Sequence, residues 1–277
     1  MSGARAVTTN QTDIYDKLEE VVRKYASTEY LRPIADHTRI AFAEAEKFIE
    51  GFYGDSGRDK DGAVFDDNRA GRIEDSAGRV TYKVILDSGC GTGESTLNIA
   101  LAHSGIPVIG IDKSVARLAK AGAGLNKGLN SAAPQNAFLV RAELLDFWRL
   151  ALEKVKAGQW HIPYHALYYP NPWPKQSEAT RRFHLHPIFP TLLQLGDAIE
   201  LRTNWEIYAR EFAEATRVLD SILSLRSRMT TFGSRMTTGT TISHEAFEPE
   251  QPITAFERKY KEARQQLWRV TINHVQI

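Results

Sequence analysis

The stretch V84-I-L-D-S-G-C-G-T-G-E-S-T96 decides the fold. Its first half, with "YK" before it, is a continuous apolar run. A parallel strand buried on both faces reads this way. Gly89, Gly91 and Gly93 then make a tight turn, and "ESTLNIALAHSG" continues at helical spacing. Working outward, "IPVIGID" (106–112) is a second strand and "SVARLAKAGAGL" (114–125) a second helix. "NAFLVRAEL" (136–144) and "FWRLALEKVKAG" (147–158) are a third strand and helix. "YHALYYP" and "GDAIELRT" are a fourth and fifth strand, "NWEIYAREFAEATRVL" a helix, and "QQLWRVTINH" a last, alternating strand. Strands alternating with helices predict βαβ units, so the fold is α/β: a doubly wound, Rossmann-like, mostly parallel sheet.

Before this core, residues 13–50 predict a helical extension, with Asp13 as an N-cap and a break at Pro33. Residues 51–80 are rich in Gly and Asp and predict a loop or linker. The expected organisation is therefore 1–80, helical extension and linker, then 81–277, the α/β domain. Residues 221–250, where "SRMTTFG" is followed by "SRMTTGT", predict a polar loop in which Arg226, Arg228 and Arg235 are solvated. The net charge of +1 excludes a polycation, so binding of a polyanion requires basic residues gathered on one face. The single cysteine, Cys90, excludes an internal disulfide and reads as a small residue in the turn. No apolar run approaches a membrane-spanning length of roughly 20 residues. A cytoplasmic protein without membrane or metal is expected.

The turn follows G-x-G-x-G, not the G-x-G-x-x-G of dinucleotide sites. The strand before it ends in Asp87, whose charge would repel a pyrophosphate but suits a ligand with an amino group and a sulfonium. The second strand ends in Asp112, placed to accept hydrogen bonds from two ribose hydroxyls. This order resembles the first two motifs of class I S-adenosylmethionine-dependent methyltransferases and implies S-adenosylmethionine as cofactor.

Further on, "YYPNPWPK" (168–175) closes the fourth strand. Prolines 170, 172 and 174 fix φ and preorganise what Asn171 presents. The segment resembles the proline-aspartate-proline-tryptophan motif of the bacterial tRNA (guanine-N7)-methyltransferase family. Lys175, Arg181 and Arg182 match that motif's lysine and arginine pair. Thr203, Asn204 and Trp205 match a Thr-Asp-Trp turn. Thr254, Phe256, Glu257 and Arg258 match a Thr-x-Phe-Glu-Arg element. Glu143 matches the acid expected near the adenine, while Asp87 and Asp112 stand at the family's first two acids. Asn171 and Asn204 replace aspartates.

The resemblance implies cofactor binding by Asp87, Gly89, Gly91, Gly93, Asp112, Glu143 and Asn171. Asn171 is also the implied catalytic residue. Substrate binding falls to Lys175, Arg181, Arg182, Asn204, Thr254 and Glu257, and Trp173 is expected in the core. The implied partner is tRNA and the implied state a monomer or weak homo-oligomer. His184 and His186, with Arg258, Lys259, Lys261, Arg264, Arg269, Arg23, Lys24, Arg32 and Arg39, would complete a phosphate-neutralising face. Guanine N7 carries a lone pair and no proton, so its methylation needs alignment rather than a base. The two asparagines leave two alternatives open. One is a methyltransferase for a small molecule or protein; the other is a non-catalytic RNA- or S-adenosylmethionine-binding relative.

Overall fold

Two strands with no exposed residue anchor the architecture: β3 (Ile85–Ser88) and β4 (Val108–Asp112). They run parallel, Ile85 facing Val108 and Ser88 facing Ile111. On the other side of β4 lies β5 (Ala137–Arg141), also parallel. Glycine at 110 is required here, because a Cβ would collide with the side chains of Thr96 and Leu139. The computed structural model describes residues 6–55, 71–120, 134–229 and 239–274.

Completing the sheet are β7 (Tyr164–Tyr168), β8 (Ala198–Thr203), β9 (Thr240–Phe247) and β10 (Leu267–His274). The seven strands lie in the order β5-β4-β3-β7-β8-β10-β9. This is the expected mixed, mostly parallel α/β sheet, whose strand order reverses beyond β3; β10 is antiparallel to both β8 and β9. A second, smaller sheet joins β1 (Arg72–Glu74), β2 (Val80–Lys83) and β6 (Trp160–His161).

The chain divides into two compact units, residues 33–166 and residues 1–32 with 167–277. In the first, helix α2 (Asp36–Asp55) packs on β5 and on helix α4 (Leu144–Lys156). Phe42 and Phe147 meet there with ring centroids 4.9 Å apart, while Trp148 turns to Ser88 on β3 and His165 on β7; each such buried side chain contributes roughly 1.5–3 kcal/mol. Asp146 ties the two helices by accepting the Ala35 amide at 2.9 Å. Helix α3 (Glu94–Ala102) follows the glycine turn. In the second unit the long helix α6 (Glu206–Met229) buries Tyr208, Phe212, Ala215 and Leu219 and packs on α1 (Leu18–Tyr25). The short helices α5 (Phe189–Leu193) and α7 (Ala255–Glu262) complete it.

Three expectations change. Helix α1 begins at Leu18, not at Asp13; the Asp13 carboxylate instead accepts the Ile14 amide and Arg210 Nη2, each at 2.8 Å. Residues 72–83 form a β1–β2 hairpin rather than a linker, because Asp75 accepts the Ala77 and Arg79 amides and so builds the turn itself. Within 221–250, α6 runs to Met229 and β9 is a half-exposed edge strand on β10. Residues 56–70, 121–133 and 230–238, with Arg235, lie outside the described residues.

Candidate active site

In the unit of residues 33–166, Gly89, Gly91 and Gly93 all have left-handed φ, at 82°, 60° and 76°. That conformation alone demands glycine, since an added Cβ at Gly89 would meet nothing within 4 Å. The turn is fastened to β4: the Gly89 and Cys90 amides donate to the Ile111 carbonyl at 2.8 and 3.1 Å, and the Gly91 amide donates to Asp112 Oδ2 at 3.0 Å. The other Asp112 oxygen accepts the Ser114 amide at 2.7 Å and Arg117 Nη2 at 3.1 Å. Sequence reading passed over Arg117.

Asp87 is 1% exposed at the head of the turn. Its Oδ2 accepts the hydroxyls of Ser95 and Thr96, both at 2.6 Å. Its Oδ1 is buried and has no partner. Burial raises the carboxyl to about 6, against the pull of those two hydroxyls and with a small push from the Asp112 charge. A buried carboxylate with one unmet oxygen is costly. An ammonium or sulfonium brought beside it removes the deficit, so this donor set fits a cationic amino-acid-like ligand. Cys90 is buried and its thiol is pushed well above the ordinary range, chiefly by burial, so it stays a thiol. Glu143 stands exposed at the N-cap of α4, and its amide donates to Thr38 at 3.1 Å. These residues gather on the C-terminal ends of β3, β4 and β5, where doubly wound folds bind ligands.

The proline loop belongs to the other unit. It leaves β7 through Tyr169 and passes Trp173, both with left-handed φ, 54° and 45°. Asn171 is exposed, and its Oδ1 makes a long 3.4 Å contact with the Trp173 amide. Lys175 and Arg181 are exposed too. Trp173 is partly exposed rather than in the core, with the Arg181 guanidinium 4.2 Å from its ring centroid. Asn204 donates to Gln265 Oε1 at 3.2 Å.

Three residues expected to bind substrate are turned inward. Arg182 is fully buried and all its N–H donors are engaged. It bonds Glu211 at 2.8 and 2.6 Å, Gln11 at 2.9 Å and the Trp173 carbonyl at 3.2 and 2.9 Å. It shapes the loop and has no donor left for a phosphate. Glu257 is also fully buried: Arg202 and Tyr169 donate to Oε1 at 2.7 and 3.1 Å, and the Ile253 amide to Oε2 at 2.7 Å. Thr254 is the N-cap of α7 and accepts the Glu257 amide at 3.0 Å. Thr254 and Glu257 thus act as a helix cap, anchoring Tyr169 at the start of the proline loop. His184 is buried against Glu211 at 2.9 Å, and burial lowers its pKa, so it adds no charge to a phosphate face. Arg269 and Arg23 are paired with Glu245 and Glu19.

The hub was not visible in the sequence. Glu211 accepts from Arg182, His184, Gln11 and the Tyr15 amide. Burial alone would raise its carboxyl, but the donors around it carry it down to about 2. The donors that hold it down are the His184 ring first and then the Arg182 guanidinium. Among the described residues no three metal-ligating side chains cluster, and no helix is long and apolar enough to cross a membrane.

Residues 81–270 match the family model described as "Putative methyltransferase". The tRNA (guanine-N(7)-)-methyltransferase of Bordetella pertussis is 31% identical over 135 residues, 47% of this chain and 49% of that protein. The tRNA (guanine-N(7)-)-methyltransferase of Mycolicibacterium gilvum is 29% identical over 141 residues, again 47% and 49%. The chain therefore spans about half the length of the curated relatives it matches. The crystal structure of the 16S rRNA methyltransferase KamB overlaps 89% of this chain and 97% of its own, with 13% identity and a TM-score of 0.44.

Proposed function

The chain belongs to the putative methyltransferase family, and from that premise we propose that it methylates N7 of a guanine in tRNA with S-adenosylmethionine as donor. The observation that carries the cofactor reading is the unpaired, buried Asp87 Oδ1 beneath three left-handed glycines. Asp87 would hold the cofactor's amino group, Asp112 its ribose and Glu143 its adenine. When bound, the cofactor supplies a methyl group activated by a sulfonium.

The chain's own residues have little proton chemistry to do, because N7 is already a free nucleophile. Asn171 offers a carbonyl dipole toward the base as positive charge develops on it. The prolines on either side restrict the backbone that carries Asn171. Lys175 and Arg181, both exposed, are the proposed phosphate contacts. Asn204 is the proposed contact to the base. Arg182, Thr254 and Glu257 are assigned to holding the loop, not to the substrate. Residues 1–80 are proposed as an extension to a domain spanning 81–277, a protein of the cytoplasm acting as a monomer or weak homo-oligomer.

The inward turn of Thr254 and Glu257 favours a second reading, a methyltransferase of this fold whose substrate is not guanine. Incubation with unmodified tRNA and labelled S-adenosylmethionine decides between them. Label in RNA, falling steeply with added salt, supports the first reading. Cofactor binding with no label in RNA supports the second.

A further inference from the structure

We propose that the N-terminal arm, residues 9–15, sets the geometry of the proline loop, with Thr9 and Gln11 as positioning residues; this rests on the role given to Asn171 above. The carbonyls of Trp173 and Pro174, two and three residues after Asn171, are both held by this arm or through it. The Thr9 hydroxyl donates to the Pro174 carbonyl at 2.6 Å. That hydroxyl is itself oriented, because it accepts the Gln11 amide at 3.0 Å.

Gln11 is nearly buried, 7% exposed, and its amide has one workable orientation. Its Oε1 accepts Arg182 Nη2 at 2.9 Å, and its Nε2 donates to Glu211 and to the Asp13 carbonyl, both at 2.7 Å. Arg182 then grips the Trp173 carbonyl with two donors. The loop cannot hold itself in this way. Prolines 170, 172 and 174 have no N–H to donate, and a left-handed non-glycine residue such as Trp173 persists only where its surroundings hold it. Thr9 reaches Pro174 from 165 positions away in the chain, while Arg182, nine positions from Trp173, is itself held by Gln11 from 171 positions away.

The test is Thr9→Val, which keeps the shape and removes the donor, beside Thr9→Ser, which restores it, and Gln11→Met as a second route to the same loop. Two readouts are needed: kcat and KM for tRNA, and hydrogen exchange of residues 169–176 by mass spectrometry. T9V and Q11M are expected to lower kcat by roughly ten- to a hundredfold, with KM within about twofold and T9S close to wild type. Exchange should speed in 169–176 and stay unchanged in β8. Wild-type kcat and wild-type exchange in both variants overturn the proposal, as does a loss of kcat that T9S shares. If the unaltered protein makes no 7-methylguanosine, the functional reading falls and exchange alone decides whether the arm sets the loop.

Discussion

Replacing Glu211 with glutamine removes one charge from a pair whose two side chains are wholly buried. Glutamine keeps one acceptor oxygen but turns an amide donor toward Arg182 or His184, and it leaves the guanidinium uncompensated in the interior. Breaking such a pair costs about 3–5 kcal/mol, a large part of the roughly 5–15 kcal/mol that holds a domain folded. Arg182→Met should cost a similar amount, because it strands the carboxylate instead. The double variant R182M/E211Q strands neither charge, so its loss should fall short of the sum of the two by about 1–3 kcal/mol. Urea unfolding at pH 7, followed by tryptophan fluorescence, measures all three. The pH dependence adds a signed check. The folded carboxyl lies at about 2, below its ordinary value of 4.5. Its contribution is present above pH 4.5 and is lost as pH falls toward 2. E211Q should therefore lose less stability than the wild type in that window. A single-variant cost under about 1 kcal/mol, or strict additivity in the double, refutes the claim that this pair organises the loop.

Two further outcomes follow from the site's geometry. Asn171→Asp should raise kcat on tRNA several-fold near pH 7, since a full negative charge stabilises the developing cation better than a dipole; no gain counts against the electrostatic role. S-adenosylmethionine should bind more tightly as pH rises toward 6 and level off above it, because the Asp87 carboxyl titrates at about 6 and the ligand's cation favours the ionised form. Calorimetry across pH 5–8 should show that slope in the wild type, and a flat, weaker profile in Asp87→Asn.

The buried strands and the glycine turn were legible because their signals are local: an apolar run, three glycines and an acid lie within a dozen residues. The strand-end positions of Asp87 and Asp112 were legible for the same reason. Strand β9 escaped because "TTISHEAF" alternates in burial but carries few apolar residues to mark its inward face, and a near-duplicate heptapeptide precedes it. The roles of Arg182 and Glu257 were misread for a different reason. Whether an arginine faces solvent or core depends on partners far off in the chain. Here these are Gln11 and Glu211 for Arg182, and Arg202 for Glu257. Sequence pattern identified the loop; only tertiary pairing shows what keeps it in place.

The most direct measurement is nucleoside analysis of tRNA lacking 7-methylguanosine after incubation with this protein and S-adenosylmethionine. A new 7-methylguanosine peak, absent with Asp87→Asn and reduced with Thr9→Val, is the expected result. An unchanged nucleoside profile from a protein that binds the cofactor, or methylation at any atom other than guanine N7, would contradict the account.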